Sequence, residues 1–85
     1  MINTPAYRFM RTYYDNDIVW FRELIYVDDD LVGEITESRY QQGYELRKFM
    51  PIHLEDGDVI EVTVVIGTFD TVPNCKDFIN NGGLK

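Results

Sequence analysis

Cysteine, histidine and serine each occur only once in this 85-residue chain. The lone Cys75 excludes an internal disulfide and any cysteine-based metal cluster, and points to a reducing compartment. Ser38 stands in a Thr-Glu-Ser context without the glycine-flanked elbow that exposes a nucleophile. No second histidine exists to serve as a base for Cys75. Gly33, Gly43, Gly57 and Gly67 are isolated, so no loop is built to cradle phosphate. Asp28, Asp29 and Asp30 are consecutive and would alternate between faces of a strand, while Asp56-Gly57-Asp58 lacks the acid spacing of a calcium loop. Neither a cofactor nor a metal is expected. The longest apolar run, VTVVIG, is far short of the ~20 residues that span a bilayer. The opening MINTPAYRF has no charged-then-apolar signal pattern, so a soluble, cytoplasmic protein without membrane contact is expected.

What is present is an apolar and aromatic chain, 45% hydrophobic and 14% aromatic, enough for one folded domain over residues 1–85. The aromatic share is high for so small a core and suggests that some rings serve an interface, most simply that of a homodimer. Net charge is −7, which opposes sequence-blind nucleic-acid binding. The charge is segregated along the chain. Acids gather at 28–30, 34–37 and 55–61, whereas YRFMRTYY (7–14) holds two arginines and four aromatics with no acid. A second basic stretch holds Arg39, Arg47, Lys48 and His53 against Glu45.

Turn-forming clusters at 15–17, 28–30, 41–43, 55–58 and 71–74 punctuate runs rich in Val, Ile, Tyr, Phe and Thr. That rhythm predicts an α+β, mainly β fold: an antiparallel meander of four or five strands with a short C-terminal helix. The strands are expected at 6–14, 18–28, 31–36, 44–54 and 59–69. Between the last two, the apolar positions match with a three-residue loop at 56–58, or with one two residues longer. Residues 36–43, TESRYQQG, fit either a short helix capped by Thr36 and ended by Gly43 or a continuation of the strand, with one or two helical turns the favoured reading. Pro73 opens a short helix that Asn-Gly-Gly ends, and residues 82–85 are expected to fray.

A two-residue turn at Asp15-Asn16 would pair Tyr7 with Leu24, Phe9 with Arg22 and Arg11 with Trp20. One face then carries Tyr7, Phe9, Arg11, Tyr13, Trp20, Arg22 and Tyr26, and the other carries Met10, Thr12, Val19, Phe21, Ile25 and Val27 as core, with Arg8 facing Glu23. The Arg/aromatic face could stack bases and hold phosphates, as single-stranded RNA binders do, or form a dimer seam. Arg39, Arg47, Lys48 and His53 would extend it. His53 with Glu55 nearby is the one acid–base pairing the chain offers, and a lone strand histidine is usually structural.

The stretch HLEDGDVIEVTVVIGT (53–68) resembles the barrel hairpin near the end of fumarylacetoacetate-hydrolase-like domains, but carries none of that family's metal-binding acids. Size, acidity, aromatic content and want of motifs also resemble the small accessory proteins of large tailed phages. That resemblance implies a protein that binds and disables a host or defence factor, such as a toxin or nuclease. The expected function is therefore non-enzymatic binding that inhibits or sequesters a target, as a homodimer contacting RNA or a ribonucleoprotein. Two alternatives stand beside it: an acidic inhibitor that mimics nucleic acid, and a small enzyme using His53.

Overall fold

The computed structural model describes residues 6–12, 21–38 and 41–84. Its five strands are β1 (Tyr7–Arg11), β2 (Arg22–Val27), β3 (Asp30–Glu37), β4 (Tyr44–His53) and β5 (Val59–Phe69), followed by helix α1 (Val72–Phe78). They form one antiparallel sheet in the order β1-β2-β3-β4-β5. This is the expected meander with its C-terminal helix.

The β2–β3 connection is a two-residue turn, Asp28-Asp29, closed by the Val27–Asp30 pair. Asp28 takes a left-handed conformation (φ 55°), which aspartate tolerates better than most residues. In β3 the pairing slips at Val32, so that Tyr26 meets Leu31 while Ile25 meets Gly33. A second irregularity falls at Ile66, between the Leu46–Gly67 and Arg47–Val65 pairs. Each bulge bends its strand and raises the local twist.

Between β4 and β5, Ile52 pairs with Ile60 and Met50 with Val62. The connecting loop is therefore the longer of the two expected, residues 54–58. The face assignment is unchanged, because a two-residue difference preserves the alternation of side chains.

Period-two alternation puts Ile25, Ile35 and Leu46 on one face, where all three are fully buried. Helix α1 lies over that face and adds Cys75; Ile79 and Leu84 complete the cluster. Thr71 caps the helix by accepting a hydrogen bond from the Asn74 N–H (3.2 Å), and Pro73 sits in the first turn, where its missing donor costs nothing. The helix widens into a π-type turn over Ile79–Gly83. Gly82, at φ 97°, then reverses the chain and returns Leu84 to the core at 6% exposure. Leu84 thus lies within the stretch expected to fray, and it is held by burial.

Two further expectations are corrected. Residues 36 and 37 continue strand β3, and 38 and 41–43 are not helical, so no helix interrupts the described parts of TESRYQQG. The first hairpin pairs Tyr7 with Val27, Phe9 with Ile25 and Arg11 with Glu23, three residues away from the expected register. An odd offset exchanges the faces of one strand relative to the other. Tyr7 and Phe9 consequently pack against the core, while Met10 is 46% exposed. Pairing Phe9 with Ile25 buries two apolar side chains together, whereas the expected register set Phe9 against Arg22. The turn at Asp15-Asn16 lies outside the described residues.

Candidate protein-interaction surface

The structure divides the residues expected to form one Arg/aromatic face. Tyr7 and Phe9 lean on the core, and Phe9 lies beneath the Lys76 ammonium, whose nitrogen is 4.7 Å from the ring centroid. Arg11 sits over Phe21, 4.5 Å from guanidinium carbon to centroid. Arg22 belongs to the opposite face with Leu24 and Tyr26. Tyr13, Trp20 and Arg39 lie outside the described residues.

Arg22 and Arg47 do come together, around carboxylates. Arg22 Nε donates to Glu34 Oε2 at 2.6 Å, and Arg47 Nη1 approaches Glu34 Oε1 at 3.7 Å. Arg47 also binds Glu45 through Nε (3.2 Å) and Nη2 (2.9 Å), and the Ser38 hydroxyl donates to Glu45 at 3.4 Å. The result is a four-membered ionic ladder crossing β2, β3 and β4 on the side of the sheet away from α1. Glu34 and Glu45 are buried, at 7% and 6% exposure, a position that acids take only when paired. Glycine and isoleucine flank Glu34 in sequence, so nothing in the pattern signals a buried acid. Arg22 and Arg47, which read as phosphate contacts in the sequence, have their charge balanced within the sheet.

Lys48 pairs with Gly33 and Val64 on the α1 side, and His53 ends β4 opposite Val59, exposed. The two are five residues apart on opposite faces, so they do not form one patch with the ladder. Cys75 is fully buried beneath the helix, and burial pushes its thiol up to about 11, with the nearby Lys76 acting in the lowering direction and Glu23 in the raising one. A thiol held neutral in this way is a packing residue, not a nucleophile. A recess of about 590 Å³ opens among Glu37, Ser38, Gln41, Gln42, Gly43, Tyr44 and Asp70. At its wall the Ser38 hydroxyl donates to the Glu45 carboxylate, and Glu37 and Asp70 supply two further carboxylates to the lining. Among the described residues no three His, Cys, Asp or Glu side chains converge as metal ligands. No helix among the described residues is long and apolar enough to cross a membrane.

The exceptional surface is elsewhere. The pairing of β3 with β4 stops at Gly33–Lys48, while β4 and β5 run on together to His53–Val59. Residues 49–63 therefore project as a two-stranded arm beyond the rest of the sheet. Its α1-side face carries Met50, Ile52, Ile60 and Val62, with Val64 at its root; of these, Met50, Ile52, Ile60 and Val64 are 38–45% exposed, as is Leu54 in the loop. Val59 and Val65, on the other face, are 55% and 53% exposed. Among the described residues, eight of the eleven large exposed hydrophobics fall between 50 and 66. Scattered apolar side chains are normal on a surface, whereas here they are concentrated on one projecting hairpin. The sequence displayed the signal as two alternating apolar strands, which read equally as core.

The fold and surface together define a class: an open, one-sided meander sheet with a helical cover and an uncovered apolar arm. No protein-family model, curated protein or solved structure matches the chain.

Proposed function

We propose that this is a non-enzymatic binding protein that captures a protein target through the β4–β5 arm. The observation that carries this reading is the row of exposed apolar side chains on one face of the arm, where, among the described residues, neither the helix nor another strand covers them. A hairpin of two strands is marginal in water by itself, so the arm's apolar face gains most when a partner covers it. The Arg/aromatic route to RNA has less support, because Arg22 and Arg47 are matched to Glu34 and Glu45. Action by occluding a target in a reducing, cytoplasmic setting agrees with the single buried thiol.

The test is affinity capture from cells producing the protein, with and without nuclease, comparing wild type with Ile52→Glu/Ile60→Glu. Capture of a protein that resists nuclease and is lost in the variant is the expected result. Capture that vanishes with nuclease, and is untouched by the arm substitutions, refutes the proposal in favour of RNA.

A further inference from the structure

We propose that β5 pairs edge to edge with β5 of a second copy, antiparallel and centred on Val62, so that the two arms join into one four-stranded apolar platform. This rests on the arm being the working surface and names what lies beside it.

The first argument is the edge itself. The sheet has two outer strands, and they are managed differently. β1 is five residues long and carries Arg8 and Arg11, the kind of charge that discourages strand addition. β5 is eleven residues long, VIEVTVVIGTF, with one charge, no proline and no lysine. A long, exposed, apolar edge of this kind is a template for another strand.

The second is hydrogen-bond geometry. At the mouth of the loop the Leu54 N–H donates to the Asp58 carbonyl at 2.8 Å. Bonded and non-bonded pairs alternate from there, so Ile52–Ile60 and Met50–Val62 are bonded pairs, while His53–Val59, Pro51–Glu61 and Phe49–Thr63 are not. Pro51, which has no N–H to give, falls on a non-bonded position, as it must. The backbone N–H and C=O groups of Val59, Glu61, Thr63 and Val65 therefore point to the open edge.

The third is self-complementarity. A two-fold axis that pairs β5 with itself antiparallel stands perpendicular to the sheet, so opposed residues must share a face and the two helices lie on the same side. Centring on Val62 sets Ile60 against Val64, Val59 against Val65 and Glu61 against Thr63. Both copies' outward-pointing donors and acceptors are then satisfied over the whole straight stretch 59–65, short of the bulge at Ile66. Moving the centre to Glu61 would set two carboxylates against each other, which is destabilising. Moving it past Val62 leaves Ile60 or Val59 without an apolar partner within that stretch.

The fourth is surface area. The chain exposes 6314 Å², about 1,100 Å² more than a compact monomer of its mass. A stable interface takes roughly 800 Å² from each partner. The radius of gyration, 14.1 Å against roughly 12 Å for a compact 85-residue domain, agrees with an uncovered extension.

Sedimentation of the full chain at high micromolar concentration tests the pairing, alongside Thr63→Pro, which removes one edge-facing donor and none that β4 uses. Wild type should sediment as two chains, and Thr63→Pro as one with an unchanged circular-dichroism spectrum. The register has its own test. Val62→Cys places two thiols across a non-bonded pair, within disulfide reach of each other. Val64→Cys, on the same face, keeps them roughly 13 Å apart. Mild oxidation should therefore cross-link the first and spare the second, and this comparison decides the matter if Thr63→Pro does not fold. A wild-type chain that sediments singly, a natively folded Thr63→Pro that still dimerises, or cross-linking of Val64→Cys alone would each overturn the inference. A single chain that still captures its target through Ile52 and Ile60 would overturn edge pairing and leave the arm as the binding surface. Loss of capture dependence on the arm in an intact dimer would do the reverse.

Discussion

Arg22 on β2 and Glu34 on β3 meet at 2.6 Å although they are not opposite each other: Arg22 pairs with Thr36, and Glu34 with Leu24. The contact is a diagonal one across two strands, within reach of a long side chain. It leaves Glu34 only 9% exposed at the side chain, with Arg47 as its second cation at 3.7 Å. Removing Arg22 leaves a poorly hydrated carboxylate with one distant partner, whereas neutralising both ends removes the liability. Arg22→Met should therefore cost about 2–3 kcal/mol, and Arg22→Met/Glu34→Gln distinctly less than the two single changes added. A double-mutant cycle by urea denaturation measures this. Simple additivity would show that the diagonal pair carries no coupling.

Gly33 is buried where β3 meets both neighbours, and a Cβ there would run into the Arg47 carbonyl oxygen. The obstacle is the backbone of the paired strand, which cannot turn aside as a side chain could. Gly33→Ala should destabilise the fold by about 2–3 kcal/mol, in keeping with overpacking of a tight site. A midpoint shift in urea without a change in slope is the expected signature. Wild-type stability in this variant would mean that the β3–β4 spacing relaxes freely.

The sequence made the meander legible because turn clusters recur at short intervals and the apolar runs alternate. The β4–β5 pairing was also legible, since only registers of one parity match Ile52, Met50, Ile60 and Val62. The first hairpin was not. Tyr7, Phe9, Met10, Phe21 and Ile25 put apolar groups at both parities, so alternation alone could not decide which face turns inward. The ladder was hidden for a different reason: burial of Glu34 and Glu45 depends on arginines from two other positions, which no local pattern encodes. The arm's exposure was invisible because a strand that lacks a cover has the same composition as one that has it. What ended β3 pairing at Gly33 while β4 continued is a property of the assembled sheet.

Leu84 follows Gly82-Gly83, where no periodicity announces a buried residue, yet it is one of six apolar side chains in the core cluster. In so small a core each member matters. Leu84→Ala should cost about 2–3 kcal/mol, at the lower end of such truncations because the site lies at the core's margin. Thermal or urea unfolding reads the loss directly. A change below about 0.5 kcal/mol, the range of ordinary surface substitutions, would mean that the segment after Gly82 is not held in solution.

Cys75 supplies a prediction in pH. Its thiol rises from 9.0 to about 11 because burial disfavours the thiolate, an effect that Lys76 partly offsets and Glu23 reinforces. In the unfolded chain the thiol ionises near its ordinary value, so between the two values the folded state holds the extra proton. Stability from this group is therefore fully present below pH 9 and declines as pH rises toward 11. The loss approaches about 2 kcal/mol, at 1.36 kcal/mol per pH unit of displacement. Lysines and tyrosines also titrate in this range, so wild type must be compared with Cys75→Ala at each pH. The variant should be less stable than wild type at pH 8, since it leaves a small cavity among Ile25, Ile35, Leu46 and Ile79. The gap should narrow steadily up to pH 11. A gap that stays constant over that range would show that the thiolate is tolerated in the core, and that the residue is not shielded beneath α1.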